Sequence, residues 1–266
     1  MHKLIALVLT LPLLAGCGRD SAARMRVQPA GEVTPGVFAM RLVTIAGKSY
    51  PYGLFVPRAY TPTRSWPVVA FMHGGRERGS DGARVLSTCF GKAVEAQRDT
   101  FPAIAVLPQL PRSEGMDRKL LRDIVTTALD SVARAFNVDA KRVYLTGYSF
   151  GGGLAIEIAY DDPARFAALG AVSTMIVASG ITGAFNATTG SADSLVAARL
   201  GSMPIWAFHG TADSMVTVDI SRKTADIFRA AGAKSFTYTE VPGGSHTCAA
   251  EYNDGALFKW MWAQHR

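Results

Sequence analysis

Gly147-Tyr148-Ser149-Phe150-Gly151 decides how this chain is read, because of what stands on either side of it. Before it runs Arg142-Val143-Tyr144-Leu145-Thr146, a stretch of strand formers, and after it residues 152–160 are compatible with a helix. A strand that turns at once into a helix crowds the backbone, so small residues are needed two positions either side of the serine. The strain lifts the hydroxyl clear of the sheet, and the helix amides point back at the place where negative charge would develop. Ser149 therefore reads as a nucleophile on a strand-to-helix turn.

Working outward, short apolar runs recur at Val68-Val69-Ala70-Phe71-Met72 and Ala103-Ile104-Ala105-Val106-Leu107, as expected of central strands in a parallel sheet. Further strands are expected at 166–173, 205–208 and 235–241. Helices are expected at 83–96, 218–231 and 255–263, and most clearly around 120–132, where apolar residues recur at three and four. Alternation of this kind predicts an α/β chain with a mostly parallel, doubly wound sheet and right-handed crossovers. Residues 38–56, with Tyr50, Tyr52 and Phe55 alternating, add an antiparallel hairpin at one edge. The interval 175–203, rich in Gly, Ala, Ser and Thr, breaks the pattern and reads as a lid or substrate-facing insertion.

A serine hydroxyl is a weak nucleophile at neutral pH, so Ser149 needs a base within reach and the base needs an acid to fix its tautomer. His209-Gly210-Thr211-Ala212-Asp213 follows one expected strand and Gly243-Gly244-Ser245-His246 follows the last. The catalytic set is thus Ser149, Asp213 and His246, with Asp193 and Asp219 as rival acids that could instead cap helices. The oxyanion of an acyl-transfer intermediate needs two donors. The amide of Phe150 supplies one, and the loop His73-Gly74-Gly75-Arg76-Glu77-Arg78-Gly79 supplies the other through Gly75. His73 and His209 read as structural hydrogen-bonding residues. No clustered His, Cys and Asp spacing suggests a metal, and no Gly-rich loop precedes a Lys-Ser or Lys-Thr, so no cofactor is expected.

The segments 73–81, Leu107-Pro108-Gln109, 147–152, His209-Gly210 with Asp213, and 243–246 together resemble secreted α/β-hydrolase esterases. The group is that of predicted peptidases and phospholipase/carboxylesterases, related to feruloyl and acetylxylan esterases and to polyhydroxybutyrate depolymerases. The resemblance covers residues 38–266 and implies the α/β-hydrolase fold, the order serine, acid, histidine, and hydrolysis of esters. It also implies an ion-pair lock formed by Arg76, Glu77 and Arg78 beside the oxyanion loop; a solvated loop is the other reading of that trio. Such enzymes often carry a tryptophan shortly after the histidine and an aromatic after Pro-Gln, where this chain has Thr247-Cys248 and Pro111-Arg112-Ser113.

The N-terminus stands apart. A basic start, an apolar run at 4–14 containing Pro12, and Leu14-Ala15-Gly16-Cys17 read as a signal peptide over 1–16, too short to span a bilayer. The last four residues resemble a bacterial lipobox, which implies lipidation of Cys17, a tether over 17–36 and a catalytic domain over 37–266. An ordinary secretory signal with an incidental cysteine is the alternative. Gly18 in place of aspartate suggests outer-membrane sorting in a Gram-negative cell, so the expected place is the cell envelope with the membrane as a partner. In an oxidising compartment Cys89 and Cys248 either pair or stay as two buried thiols.

With 48% hydrophobic and 18% charged residues in 266, the chain holds one sizeable core and is not disordered. Its net charge of +7 is spread without a dense basic run, so no nucleic-acid partner is expected, and the charge suits a surface near anionic lipid or polysaccharide. The sequence thus predicts a serine esterase acting through an acyl-enzyme on small or polysaccharide-linked esters. A serine peptidase and a non-catalytic surface lipoprotein that kept the fold are the alternatives. Oligomeric state has no readable signal.

Overall fold

Parallel strands buried on both faces need helices on both faces, and the chain is built that way. The computed structural model describes residues 27–28, 33–174 and 192–266. The expectations for 1–16, for Cys17 and for most of its tether, and those for 175–191, lie outside the described residues. Nine strands are described: β1 (Val27–Gln28), β2 (Phe38–Ile45), β3 (Lys48–Phe55), β4 (Trp66–Met72), β5 (Ile104–Pro108), β6 (Val138–Tyr148), β7 (Ala168–Val172), β8 (Ile205–Gly210) and β9 (Phe236–Val241). The helices are α1 (Ala83–Leu86), α2 (Cys89–Ala96), α3 (Arg118–Ala135), α4 (Phe150–Asp161), α5 (Ala192–Leu200), α6 (Val218–Ala230), α7 (Ala249–Asn253) and α8 (Ala256–Trp262).

The strands form one sheet in the order β1-β2-β3-β5-β4-β6-β7-β8-β9. The β2–β3 and β3–β5 pairs are antiparallel and every pair from β4 onward is parallel. This is the α/β-hydrolase fold with its hairpin at one end, as expected. The pleat divides β4 between two cores: Val68, Ala70 and Met72 join residues of α3, α4, α5 and α6, whereas Val69 and Phe71 join residues of α1, α2, α7 and α8. Tyr50 and Tyr52 face the first core and Phe55 the second. Helix α3 follows its sequence pattern, with Leu121, Ile124, Val125, Ala128, Leu129 and Val132 buried and Asp117 capping the amide of Leu120 at 2.8 Å.

Two of the expected elements take a different form. The helix expected at 83–96 is broken at Ser87-Thr88, where the Thr88 hydroxyl donates to Val85 O at 2.6 Å and accepts from the Gly91 amide at 3.2 Å. A new N-cap there starts α2, and Gly91 is the only fit because a Cβ would lie 2.2 Å from Leu86 O. The second difference is α5, which occupies 192–200 of the interval read as a lid. Val196, Ala197 and Leu200 are buried in the main core, so this part is the crossover helix between β7 and β8 rather than an insertion. Its apolar periodicity is short, which hid it beside the small residues that precede it.

Candidate active site

The turn from β6 to α4 is as tight as its sequence requires. Ser149 has φ 54° and ψ −121°, a strained left-handed conformation for a residue with a Cβ. The turn is held by the Ser149 amide donating to Val172 O at 2.9 Å and by the Thr174 hydroxyl donating to Ser149 O at 2.7 Å. A Cβ at Gly147 would stand 2.4 Å from Gly151 O, and one at Gly151 would stand 2.1 Å from Met72 O. Both glycines are therefore fixed by backbone contact.

The loops leaving β6, β8 and β9 meet at the carboxyl ends of these parallel strands, where open α/β sheets place their sites. The Ser149 hydroxyl donates to His246 Nε2 at 2.9 Å, and His246 Nδ1 donates to Asp213 Oδ2 at 2.7 Å. Asp213 has a buried carboxylate that also accepts the amides of Met215 and Val216 at 2.9 Å each through Oδ1. Burial pushes this carboxyl up, but the Val216 amide, His246 and the Met215 amide outweigh it and hold it below the ordinary aspartate value. It is thus a fixed anion facing the imidazole. Of the rival acids, Asp219 is exposed and paired with Arg222, and the side chain of Asp193 lies outside the described residues.

His209 has the structural role expected of it. Nε2 donates to Val216 O at 2.8 Å and stands 3.2 Å from Asp213 Oδ2, while Nδ1 accepts from Ser221 Oγ at 2.6 Å. It clamps the acid loop against α6. His73 does the same for the loop after β4: Nδ1 donates to Gly74 O at 2.6 Å and Nε2 accepts the Leu110 amide at 3.1 Å. Burial, opposed by the bond to Gly74 and reinforced by Arg78, lowers its pKa to about 4, so it is neutral at pH 7.

Phe150 opens α4, so its amide has no acceptor within the helix. Gly75 lies inside the turn closed by the Glu77 amide on Gly74 O at 3.3 Å. The two residues line a cavity of about 260 Å³ with Ser149, His246, Met116 and Met215. The two residues expected to supply the oxyanion donors thus line the same cavity as the nucleophile. The ion-pair lock is not found: among the described residues Arg76, Glu77 and Arg78 form no ion pair, and the loop is held through carbonyls instead. Arg78 Nε donates to Gly75 O at 2.9 Å and Nη1 to Gly115 O at 2.6 Å, and Arg112 donates to Arg76 O at 2.9 Å. A guanidinium fork suits carbonyls on two facing loops as well as it suits a carboxylate.

Sequence reasoning assigned no role to Gln109, which is fully buried and braces the same loop. Its Oε1 accepts the Gly82 amide at 2.6 Å, and its Nε2 donates to Glu77 O at 2.9 Å. Tyr148, the residue before the nucleophile, was missed too. Its hydroxyl donates to His246 O at 2.9 Å, and burial, followed by Glu77 and Asp213, raises its pKa to about 12 and keeps it a donor. The Ser173 hydroxyl donates to Thr247 O at 2.9 Å, and Cys248 is disulfide-bonded to Cys89, with Cα atoms 5.9 Å apart. The pairing left open by the sequence is therefore made. Residues 246–248 are tied down at three successive positions.

Three solved structures similar to this chain carry the same fold. A thermostable esterase is 24% identical with a TM-score of 0.67, over 86% of this chain and 63% of that one, so the chain spans less than two thirds of it. A CE1 ferulic acid esterase from Anaeromyces mucronatus is 17% identical with a TM-score of 0.63, over 88% and 92% of the two chains. Thermogutta terrifontis esterase 2, in a form phosphorylated by paraoxon, is 14% identical with a TM-score of 0.61, over 86% and 94%. No curated protein matches the sequence. A family model matches residues 89–257, a stretch that contains Ser149, Asp213, His246 and both disulfide cysteines but begins after the loop of Gly75. On that match the chain belongs to the dienelactone hydrolase family.

Proposed function

We propose that this protein is a serine hydrolase that cleaves carboxylic esters through an acyl-enzyme. The observation that carries the reading is the continuous relay from the Asp213 carboxylate through His246 to the Ser149 hydroxyl, at 2.7 and 2.9 Å. His246 Nε2 takes the hydroxyl proton as Ser149 Oγ bonds to the ester carbon, and the carbonyl oxygen becomes an oxyanion facing the Phe150 and Gly75 amides. The intermediate collapses, the carbon–oxygen bond to the alcohol breaks, and His246 gives its proton to the departing oxygen. Water then repeats the sequence on the acyl-serine, with His246 as base and then acid, and releases the carboxylic acid. Asp213 keeps Nδ1 protonated throughout, so that Nε2 faces the serine as an acceptor.

Hydrolysis of p-nitrophenyl butyrate by the wild type and by Ser149→Ala tests the reading. The variant is expected to lose about 10³-fold or more in kcat, and retention of full activity sinks it. We also place the enzyme at the cell envelope, held by a lipid on Cys17; the support is Leu14-Ala15-Gly16-Cys17 directly after the apolar run.

A further inference from the structure

A second cavity, of about 310 Å³, adjoins the site on the far side of Tyr148, and it is lined by Glu77 and His246 but not by Ser149. We propose that it receives the departing alcohol and selects one that carries further hydroxyl groups; this rests on the ester-hydrolase reading above. The division follows from the chemistry. The acyl carbon must sit by Ser149 with its oxygen on the Phe150 and Gly75 amides, in the cavity walled by Met116 and Met215. Both methionines are exposed apolar side chains, and with Phe150 they give this cavity an apolar stretch of wall, suited to an apolar acyl group, beside Arg76 and the Glu77 that it shares with the second cavity. The alcohol oxygen must reach the proton on His246 Nε2, so the rest of the alcohol lies toward the cavity that His246 shares.

The walls of that cavity present hydrogen-bonding groups of both kinds. Glu77 brings a carboxylate to this lining and forms no ion pair among the described residues, so it stands as an acceptor. Lys92, on the exposed side of α2, forms no ion pair among the described residues, and Asn253 stands exposed at the end of α7. An apolar alcohol would desolvate all three and satisfy none. An acidic group would meet the Glu77 carboxylate, and an ammonium would meet Lys92. A neutral hydroxyl donates to the one and accepts from the other, so a polyol answers the whole set. The Cys89–Cys248 bond joins the starts of α2 and α7, the two helices that carry Lys92 and Asn253, and so holds the walls at a constant separation.

The test compares glycerol monobutyrate with butyl butyrate, which share an acyl group and differ in the alcohol. The wild type is expected to favour the glycerol ester by about tenfold or more in kcat/KM, less than the roughly 10⁴-fold of a fully buried hydroxyl site because Lys92 and Asn253 are exposed to water. Lys92→Ala and Asn253→Ala, both at exposed positions that do not threaten folding, are expected to lower that ratio several-fold each. A wild-type ratio near one, or a ratio that neither substitution moves, overturns the assignment of this cavity. A faster reaction with an ester of a carboxylate-bearing alcohol of the same length also overturns it. A wild type that hydrolyses no ester overturns the reading beneath it.

Discussion

Replacing Gln109 by alanine separates the support of the oxyanion loop from the loop itself. The side chain touches no part of the nucleophile relay, yet it ties the Gly82 amide, the Glu77 carbonyl and, at 3.4 Å, the Asp81 carboxylate. Truncation leaves the buried Gly82 N–H and the Glu77 carbonyl without their partner. At about 1–3 kcal/mol for each orphaned group, the loss is about 3 kcal/mol, a large share of the roughly 5–15 kcal/mol that holds a domain together. For a chain of this size the melting temperature should fall by roughly 6–12 °C. Activity should fall separately, because the turn carrying Gly75 is stitched to the rest of the loop at Glu77 O. A displacement of about 1 Å at such a donor costs up to about 10²-fold, so kcat for p-nitrophenyl butyrate should drop ten- to hundredfold, well below the variant's melting point, with KM changed little. Gln109→Glu is the companion variant: it keeps an acceptor for Gly82 but turns a second oxygen toward Glu77 O and Asp81, so it should lose at least as much activity. A Gln109→Ala protein with unchanged melting temperature refutes the burial argument, and one with unchanged kcat refutes the link from Gln109 to the Gly75 amide.

His73 is held neutral in the fold with its pKa near 4 but titrates near 6.5 when unfolded, so its contribution to stability is complete above pH 6.5 and is lost as pH falls toward 4. The loss reaches about 3 kcal/mol, and urea unfolding of His73→Gln between pH 8 and 4 should show a flatter pH dependence than the wild type; parallel curves contradict it. Glu251 is buried with Oε2 unpartnered, and burial, opposed by a backbone bond and aided by Asp254, raises its pKa. Its ionisation therefore weakens the fold as pH rises past the unfolded value near 4.5, and Glu251→Gln should raise the melting temperature at pH 7 but not at pH 4. Expressed in a lipoprotein-processing bacterium, the wild type should partition into the detergent phase and Cys17→Ala into the aqueous phase; identical partitioning rules out the anchor.

What could be read from the sequence is what local chemistry dictates. The runs at 68–72 and 103–107 announce buried strands because every residue in them is apolar, and Gly147 and Gly151 announce the tight turn because nothing larger fits there. Asp213 and His246 were legible through their positions just after expected strands. Gln109, Tyr148 and, through Gly115, Arg78 carry the loops of the site by partners 27 to 98 residues away, and spacing along the chain holds no trace of such contacts. Pairing of Cys89 with Cys248 belongs to the same class, since only the folded chain brings α2 beside the loop of His246. The break at Thr88 was hidden for another reason: an amphipathic pattern runs on through 83–96, and a cap forms only where Gly91 must pass close to Leu86.

The cross-link between Cys89 and Cys248 closes a covalent ring over 159 residues of sequence, and Ser149, Asp213 and His246 all lie inside it. A single cut in the backbone anywhere between the two cysteines therefore cannot release a fragment. The two new ends stay on one molecule, each part of the relay remains bound to the others, and a nicked chain keeps the nucleophile, base and acid at the mutual concentration of an intact one. Resistance to loss by proteolysis is thus a property of the ring as a whole rather than of any one loop within it.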